Sequence, residues 1–83
     1  MELIFYKKYN LIYIDGSHLL DDITIDFNNC LNIIAMNEII WMDDYRGGDG
    51  IIIKNHIDKL YEENKNCLKI IHMGYQIAFQ KYN

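Results

Sequence analysis

Apolar positions change their spacing along the first half of the chain. Residues 11–14, Leu-Ile-Tyr-Ile, form a continuous apolar run rich in β-forming residues. Such a run is typical of a strand covered on both faces, as in a parallel sheet. From Leu20 onward the apolar residues recur at helical spacing, which predicts a helix over residues 19–35. The apolar stripe of that helix consists of Leu20, Ile23, Phe27, Cys30, Leu31 and Ile34.

The second half repeats the change from strand to helix. In "EIIWMDDY", residues 38–45, an apolar run predicts a second strand that ends in acids. The glycine-rich "RGGDG", residues 46–50, predicts a loop, with Asp49 as a helix N-cap. Helical spacing then returns and predicts a second helix. Its apolar stripe consists of Ile53, Ile57, Leu60 and Tyr61.

The C-terminal tail divides at Met73-Gly74 into two apolar runs, residues 67–72 and 75–82. Two such runs around a glycine predict a β-hairpin. The whole order is therefore β-α-β-α-β-β. A strand-helix-strand unit implies a right-handed crossover and a parallel pair, and the hairpin adds an antiparallel pair. We expect one α/β domain over residues 1–83 with a mixed sheet.

Length, charge and cysteine content exclude several classes of protein. The 83 residues suffice for one domain. A net charge of −4 with scattered Lys and Arg argues against nucleic-acid binding. No apolar run approaches the roughly 18 residues of a membrane span, and the N-terminus lacks a signal-peptide cleavage site. Cys30 and Cys67 are far apart and match no metal motif. We expect two buried free thiols in a reducing compartment, and hence a cytoplasmic protein.

Acidic residues end the first two predicted strands, and they are the main candidates for chemistry. Asp15 closes the first strand, and Asp43 and Asp44 close the second. Ligands of open α/β sheets bind outside the carboxyl ends of the parallel strands. Neighbouring strand ends lie about 4.8 Å apart, so these carboxylates would converge on one volume. Carboxylate oxygens suit Mg²⁺ or another divalent cation. His18 follows three residues after Asp15, and its imidazole could remove a proton from a hydroxyl.

A structural interpretation of the same residues stays open, and on spacing alone it is favoured. Asp-Gly is also ordinary turn chemistry, and two aspartates can simply stop a strand and hydrate its end. His56 falls within a predicted helix, where we expect a surface or boundary residue. His72, beside the hairpin turn, is expected to be structural, and Trp41, inside a strand, is expected to belong to the core.

Three stretches together resemble a known family. "LIYIDGSHLLDD", "EIIWMDDYRGG" and "IIHMGYQIAFQK" are similar, in order and spacing, to the C-terminal half of a class I S-adenosylmethionine-dependent methyltransferase. The resemblance is to the metal-dependent O-methyltransferase-like branch and spans about Tyr9 to Lys81. It implies a partial Rossmann-like fold that supplies strands 4-5-7-6 of a parent sheet ordered 3-2-1-4-5-7-6. It also implies Asp15, Asp43 and Asp44 as metal ligands and His18 as the catalytic base.

The family's donor-binding features are absent from this sequence. The family binds S-adenosylmethionine through a glycine-rich turn after strand 1 and an acid ending strand 2. Here the glycine cluster, residues 47–50, follows the counterpart of strand 5, and "AMNE", residues 35–38, replaces a usual Pro-Gly-Gly turn. The resemblance thus implies a truncated domain lacking the donor-binding half. Whether the chain is an enzyme is left uncertain.

The missing half also affects the sheet. In the parent fold another strand pairs with the counterpart of residues 11–15, so this strand becomes an exposed edge that only residues 1–9 could cover. We expect self-association or a complementing chain at this edge. The favoured function is a methyltransferase-like fragment that is inactive alone. The alternatives are one chain of a split methyltransferase, a non-enzymatic α/β interaction module, or a cation site without catalysis.

Overall fold

A computed structural model describes residues 2–6, 11–15, 19–47 and 51–83. Its elements, in chain order, are β1 (Glu2–Tyr6), β2 (Leu11–Asp15), α1 (Leu20–Ile33), β3 (Ile39–Met42), α2 (Ile51–Asn64), β4 (Leu68–Met73) and β5 (Ile77–Lys81). The predicted α/β class with a mixed sheet is confirmed. The predicted N-cap, Asp49, lies outside the described residues.

The strands form one sheet in the order β1-β2-β3-β5-β4. β2 and β3 are parallel, with Leu11 opposite Ile39 and Ile14 opposite Met42. The remaining neighbours are antiparallel, including the predicted hairpin of β4 and β5. The parallel pair requires the crossover that α1 provides, so the strand-helix-strand pattern explains the centre of the sheet.

Strand β1 covers the edge that was expected to be exposed. It pairs antiparallel with all of β2, from Glu2 opposite Asp15 to Tyr6 opposite Leu11. Residues 11–15 are therefore an interior strand of the sheet. This corrects the expectation of an exposed edge there, while association with another chain stays a prediction.

Both helices pack on the same face of the sheet. The ring of Phe79, on β5, meets the ring of Phe27 of α1 edge-on with centroids 6.1 Å apart. It also stacks on Tyr61 of α2 at 5.4 Å. The predicted apolar stripes supply this core: Phe27 is fully buried, and Ile57 is 1% exposed. Burial of such side chains stabilises the fold by about 1.5–3 kcal/mol each.

The opposite face of the sheet has no helix against it among the described residues. In β2, Ile12 and Ile14 are buried, whereas Leu11 and Tyr13 are only half-buried. This alternation shows that the predicted coverage of both faces is wrong for this strand. Trp41 of β3 is likewise half-buried, because it points away from the helices, and its assignment to the core is also corrected.

Cys30 and Cys67 are free thiols, as predicted, but only Cys30 is buried. Within the described part of the chain, neither helix has the length and apolar character needed to cross a membrane.

Candidate functional site

The carboxyl ends of β2 and β3 lie side by side. The backbone N–H of Asp43 donates a 3.1 Å hydrogen bond to the carbonyl of Ile14, which extends the parallel ladder just beyond β3. Asp15 is the last residue of β2. The backbone therefore brings positions 15 and 43 to the same edge of the sheet. The side chain of Asp15 and the whole of His18 lie outside the described residues, so their predicted roles stay predictions.

Asp43 binds two donors from neighbouring segments. Its Oδ1 accepts the backbone N–H of Asp44 at 2.9 Å and the side-chain Nε2 of Gln76 at 3.1 Å. The first bond shapes the turn after β3. The second connects this turn to the start of β5.

Asp44 occupies a left-handed turn conformation, with φ of 58°. Aspartate tolerates this region better than most residues. The turn closes through a 3.1 Å hydrogen bond from the N–H of Gly47 to the carbonyl of Asp44. A Cβ at position 47 would lie 3.0 Å from Asp44 Oδ1 and 3.2 Å from its Cα. Gly47 therefore serves close packing in this turn.

The β4–β5 hairpin contacts the turn after β3 through Tyr75. Its hydroxyl donates a 2.7 Å hydrogen bond to Asp44 Oδ1, and its carbonyl accepts the N–H of Arg46 at 3.1 Å. The hydrogen bond to the Asp44 carboxylate, together with the negative charge there, raises the pKa of the Tyr75 phenol. Tyr75 is thus a neutral donor to this carboxylate at physiological pH.

Gln76 is the centre of the site's hydrogen-bond network. Its Nε2 donates to the hydroxyl of Tyr13 and to Asp43 Oδ1, both at 3.1 Å. Its Oε1 accepts the indole N–H of Trp41 at 2.7 Å. One amide group thereby connects side chains from β2, β3 and the turn that follows β3.

An aromatic pair adjoins this network on the open face of the sheet. The imidazole of His72, on β4, stacks on the indole of Trp41 with centroids 5.0 Å apart and an interplanar angle of 16°. The expectation that His72 is structural agrees with this packing. His56 lies elsewhere, half-buried on α2, and its Nε2 is 2.6 Å from Thr24 Oγ1 of α1.

The described side chains do not by themselves make a metal centre. Asp43 and Asp44 each use Oδ1 to accept hydrogen bonds from the protein. Across residues 19–47 and 51–83 and the other described positions, no group of three or more His, Cys, Asp or Glu could hold a metal ion. A three-carboxylate centre would require the side chain of Asp15 in addition to Asp43 and Asp44.

The sequence did not single out the residues that carry the network. Gln76 was predicted only as part of the second run of the hairpin, and Tyr13 only as part of an apolar run. The stretch "GYQ", residues 74–76, was one of the signals of the resemblance. That stretch supplies both Tyr75 and Gln76, so it could have indicated them.

Comparisons with known proteins add no relative. No protein-family model matches the chain, and no curated protein or solved structure matches it significantly. The similarity to methyltransferases therefore depends on the three sequence stretches.

Proposed function

We propose that this chain is the acceptor-side portion of an S-adenosylmethionine-dependent O-methyltransferase-like fold, without methyl transfer of its own. The observation that carries the proposal is the parallel pairing of β2 and β3, which puts Asp15 and Asp43 at one sheet edge. The order β2-β3-β5-β4, with β5 antiparallel to both of its neighbours, supports it further. The resemblance requires this order for strands 4-5-7-6.

Under this proposal the strand ends hold a divalent cation such as Mg²⁺. Asp15, Asp43 and Asp44 are the proposed ligands, and oxygen ligands of this type suit hard cations. His18 is the proposed base for an acceptor hydroxyl in a complete enzyme. The chain lacks the family's glycine-rich donor turn, so S-adenosylmethionine binding is not expected.

The position of β1 favours an independent remnant over a split enzyme. A complementing chain that paired with β2 would first have to displace β1, which already pairs with β2 over its whole length. The third alternative, an interaction module, has separate support in the open sheet face around Trp41, which no described helix covers.

Calorimetric titration of the purified chain with Mg²⁺, Mn²⁺ and S-adenosylmethionine tests the proposal. We expect saturable heat with a divalent cation and none with S-adenosylmethionine. The double variant Asp43→Asn/Asp44→Asn should lose the cation heat. Asp21→Asn/Asp22→Asn, which removes the same charge from the first turn of α1, should retain it. Binding of S-adenosylmethionine, or cation heat unchanged in the Asp43/Asp44 variant, would contradict the proposal.

A further inference from the structure

Four side chains lie at one level across the open face of the sheet. In the strand register Tyr13 is opposite Trp41, Trp41 is opposite Ala78, and Ala78 is opposite His72. Directly paired residues of neighbouring strands point to the same face. Ala78 precedes Phe79, whose ring contacts the helices, so these four residues point to the other face. The row contains rings on β2, β3 and β4 and a single small side chain on β5.

The stacked rings of Trp41 and His72 close over this small residue. Ala78 is 0% exposed although it points away from the helices. Its two register partners are two strands apart, which is about 9.6 Å at the usual strand spacing, yet their ring centroids are 5.0 Å apart. The two side chains therefore lean toward each other above Ala78.

A flat ring fits between these side chains if they stand upright. An inserted ring needs one van der Waals contact distance on each of its faces, so the two outer rings must lie roughly 7–8 Å apart. That separation lies between the present 5.0 Å and the strand separation of about 9.6 Å. Side-chain rotation alone can therefore open the pair, without movement of the strands.

The two rings are held to different extents. Trp41 is half-buried, and its indole N–H binds Gln76 Oε1 at 2.7 Å. His72 is exposed and lies on β4, the last strand of the sheet. Trp41 therefore forms the fixed wall of the opening, and His72 is the side that moves.

The charge next to the opening selects the ligand. The amide of Gln76 separates the Trp41 indole N–H from Asp43 Oδ1, with hydrogen bonds of 2.7 and 3.1 Å. Asp44 follows Asp43 in the chain, and the net charge of the protein is −4. A cationic group attached to an inserted ring would be attracted to this carboxylate end.

We propose that Trp41 and His72 form an aromatic clamp, floored by Ala78, for a flat aromatic ring with a short ammonium arm directed at Asp43. This site does not depend on methyl transfer or on a metal ion. Titrations in EDTA therefore test it separately from the proposed cation site.

Trp41 is the one tryptophan of the chain, so its fluorescence reports the clamp directly. The probes are 2-phenylethylamine, 2-phenylethanol and 3-phenylpropanoate, which carry a similar ring with positive, neutral and negative ends. We expect a saturable change in emission with the amine, with Kd on the order of 1 mM. The alcohol should bind several-fold more weakly, and the carboxylate weakest. No saturable response to any probe, or equal responses to all three, overturns the proposal.

Variants assign the response to the two ends of the site. His72→Ala should abolish saturation, while Lys69→Ala, an exposed position on the same strand, should leave it unchanged. Asp43→Asn should lower the affinity for the amine to that for the alcohol. Unchanged binding in His72→Ala overturns the clamp.

Amide chemical-shift mapping uses the unmodified protein, so this test does not depend on whether a variant folds. The amine should shift the Trp41 indole N–H and the backbone amides of residues 72 and 78. Shifts confined to other regions of the chain contradict the clamp.

Discussion

The hydroxyl of the fully buried Tyr45 donates a 2.5 Å hydrogen bond to Asp58 Oδ1. Lys54 Nζ binds the other oxygen of the same carboxylate at 2.8 Å. Burial alone raises the pKa of Asp58, but the hydrogen bonds from Lys54 and Tyr45 outweigh it and leave the pKa below its usual value. This arrangement fixes α2 to the turn that carries Asp43 and Asp44.

We expect Tyr45→Phe to destabilise the fold by about 1.5–3 kcal/mol, the range for a hydrogen bond to a charged group. Urea unfolding, monitored by circular dichroism, measures this loss in the free energy of unfolding. Tyr82→Phe is the matched control, because the Tyr82 hydroxyl donates to the Lys65 carbonyl at an exposed site. Equal losses in the two variants would contradict a special role for the buried bond.

The pKa of Asp26 is shifted in the opposite direction from that of Asp58. Asp26 is 5% exposed on α1, and burial, together with the charge of Asp22, raises its pKa above the ordinary 3.8. A raised carboxyl pKa opposes folding at pH values above the folded-state pKa, and the penalty disappears below the unfolded pKa. Asp26→Asn should therefore stabilise the protein at pH 7 and change nothing near pH 3.

Urea midpoints across this pH range test the sign for Asp26. Asp21→Asn is the control: it removes a carboxylate from the first turn of α1 and should cost about 0.3–1 kcal/mol near neutral pH. A loss of stability in Asp26→Asn at pH 7 would show that the carboxylate is favourably bound in the fold.

The two thiols should react at very different rates. Burial and the charge of Asp26 raise the pKa of Cys30 to about 12, so roughly one part in 10⁴ is thiolate at pH 8. Cys67 is half-buried, and its Sγ lies 3.3 Å from the Asn64 carbonyl. We expect the Cys67 thiol to react rapidly with a disulfide reagent and the Cys30 thiol to react only on unfolding. Cys67→Ser should remove the rapid phase, and a rapid phase that persists would contradict the assignment.

Local spacing was sufficient to predict the two helices, the strands β2 to β5 and the parallel pair, but it did not predict β1, Glu2–Tyr6. The stripes of α1 and α2 are set by residues three or four positions apart, and the hairpin by adjacent runs around Gly74. Each of these signals lies within a short window of sequence, and one-sided burial reinforces it.

The hydrogen-bond network could not be predicted in the same way. Gln76 meets Tyr13 from 63 positions away and Asp43 from 33 positions away, so only the tertiary fold brings them together. Trp41 was misassigned for a related reason: an apolar strand residue can face either the helices or the open side. The spacing of the acids predicted a shared strand end, and the positions of the side chains of Asp15 and His18 stay a prediction.

Replacement of Gln76 by Met tests the network itself. The variant keeps the length of the side chain but removes one hydrogen-bond partner each from the Trp41 indole, the Tyr13 hydroxyl and the Asp43 carboxylate. We expect a loss of about 1–3 kcal/mol and a shift in Trp41 emission as the indole N–H turns to water. Gln80→Met is the control, because the Gln80 amide donates to the Asn37 carbonyl at an exposed site. An unchanged emission spectrum would mean that Gln76 does not hold the indole.

Removal of residues 1–6 tests how the edge of β2 is protected. Without β1, the apolar β2 would expose unpaired backbone groups, which favour pairing with another chain. In the intact chain β1 is joined to β2 through residues 7–10 alone, and such a tether maintains an effective concentration in the millimolar range. A second chain at micromolar concentration competes poorly with it.

Sedimentation velocity should therefore show association that grows with concentration for the shortened chain, and much weaker association for the intact one. Circular dichroism distinguishes this from unfolding, since α1 and α2 should be retained. A shortened chain that stays folded and monomeric would show that β1 is dispensable for edge protection. Association of the intact chain to the same extent would instead place the interface on another edge, with β4 as the next strand to examine.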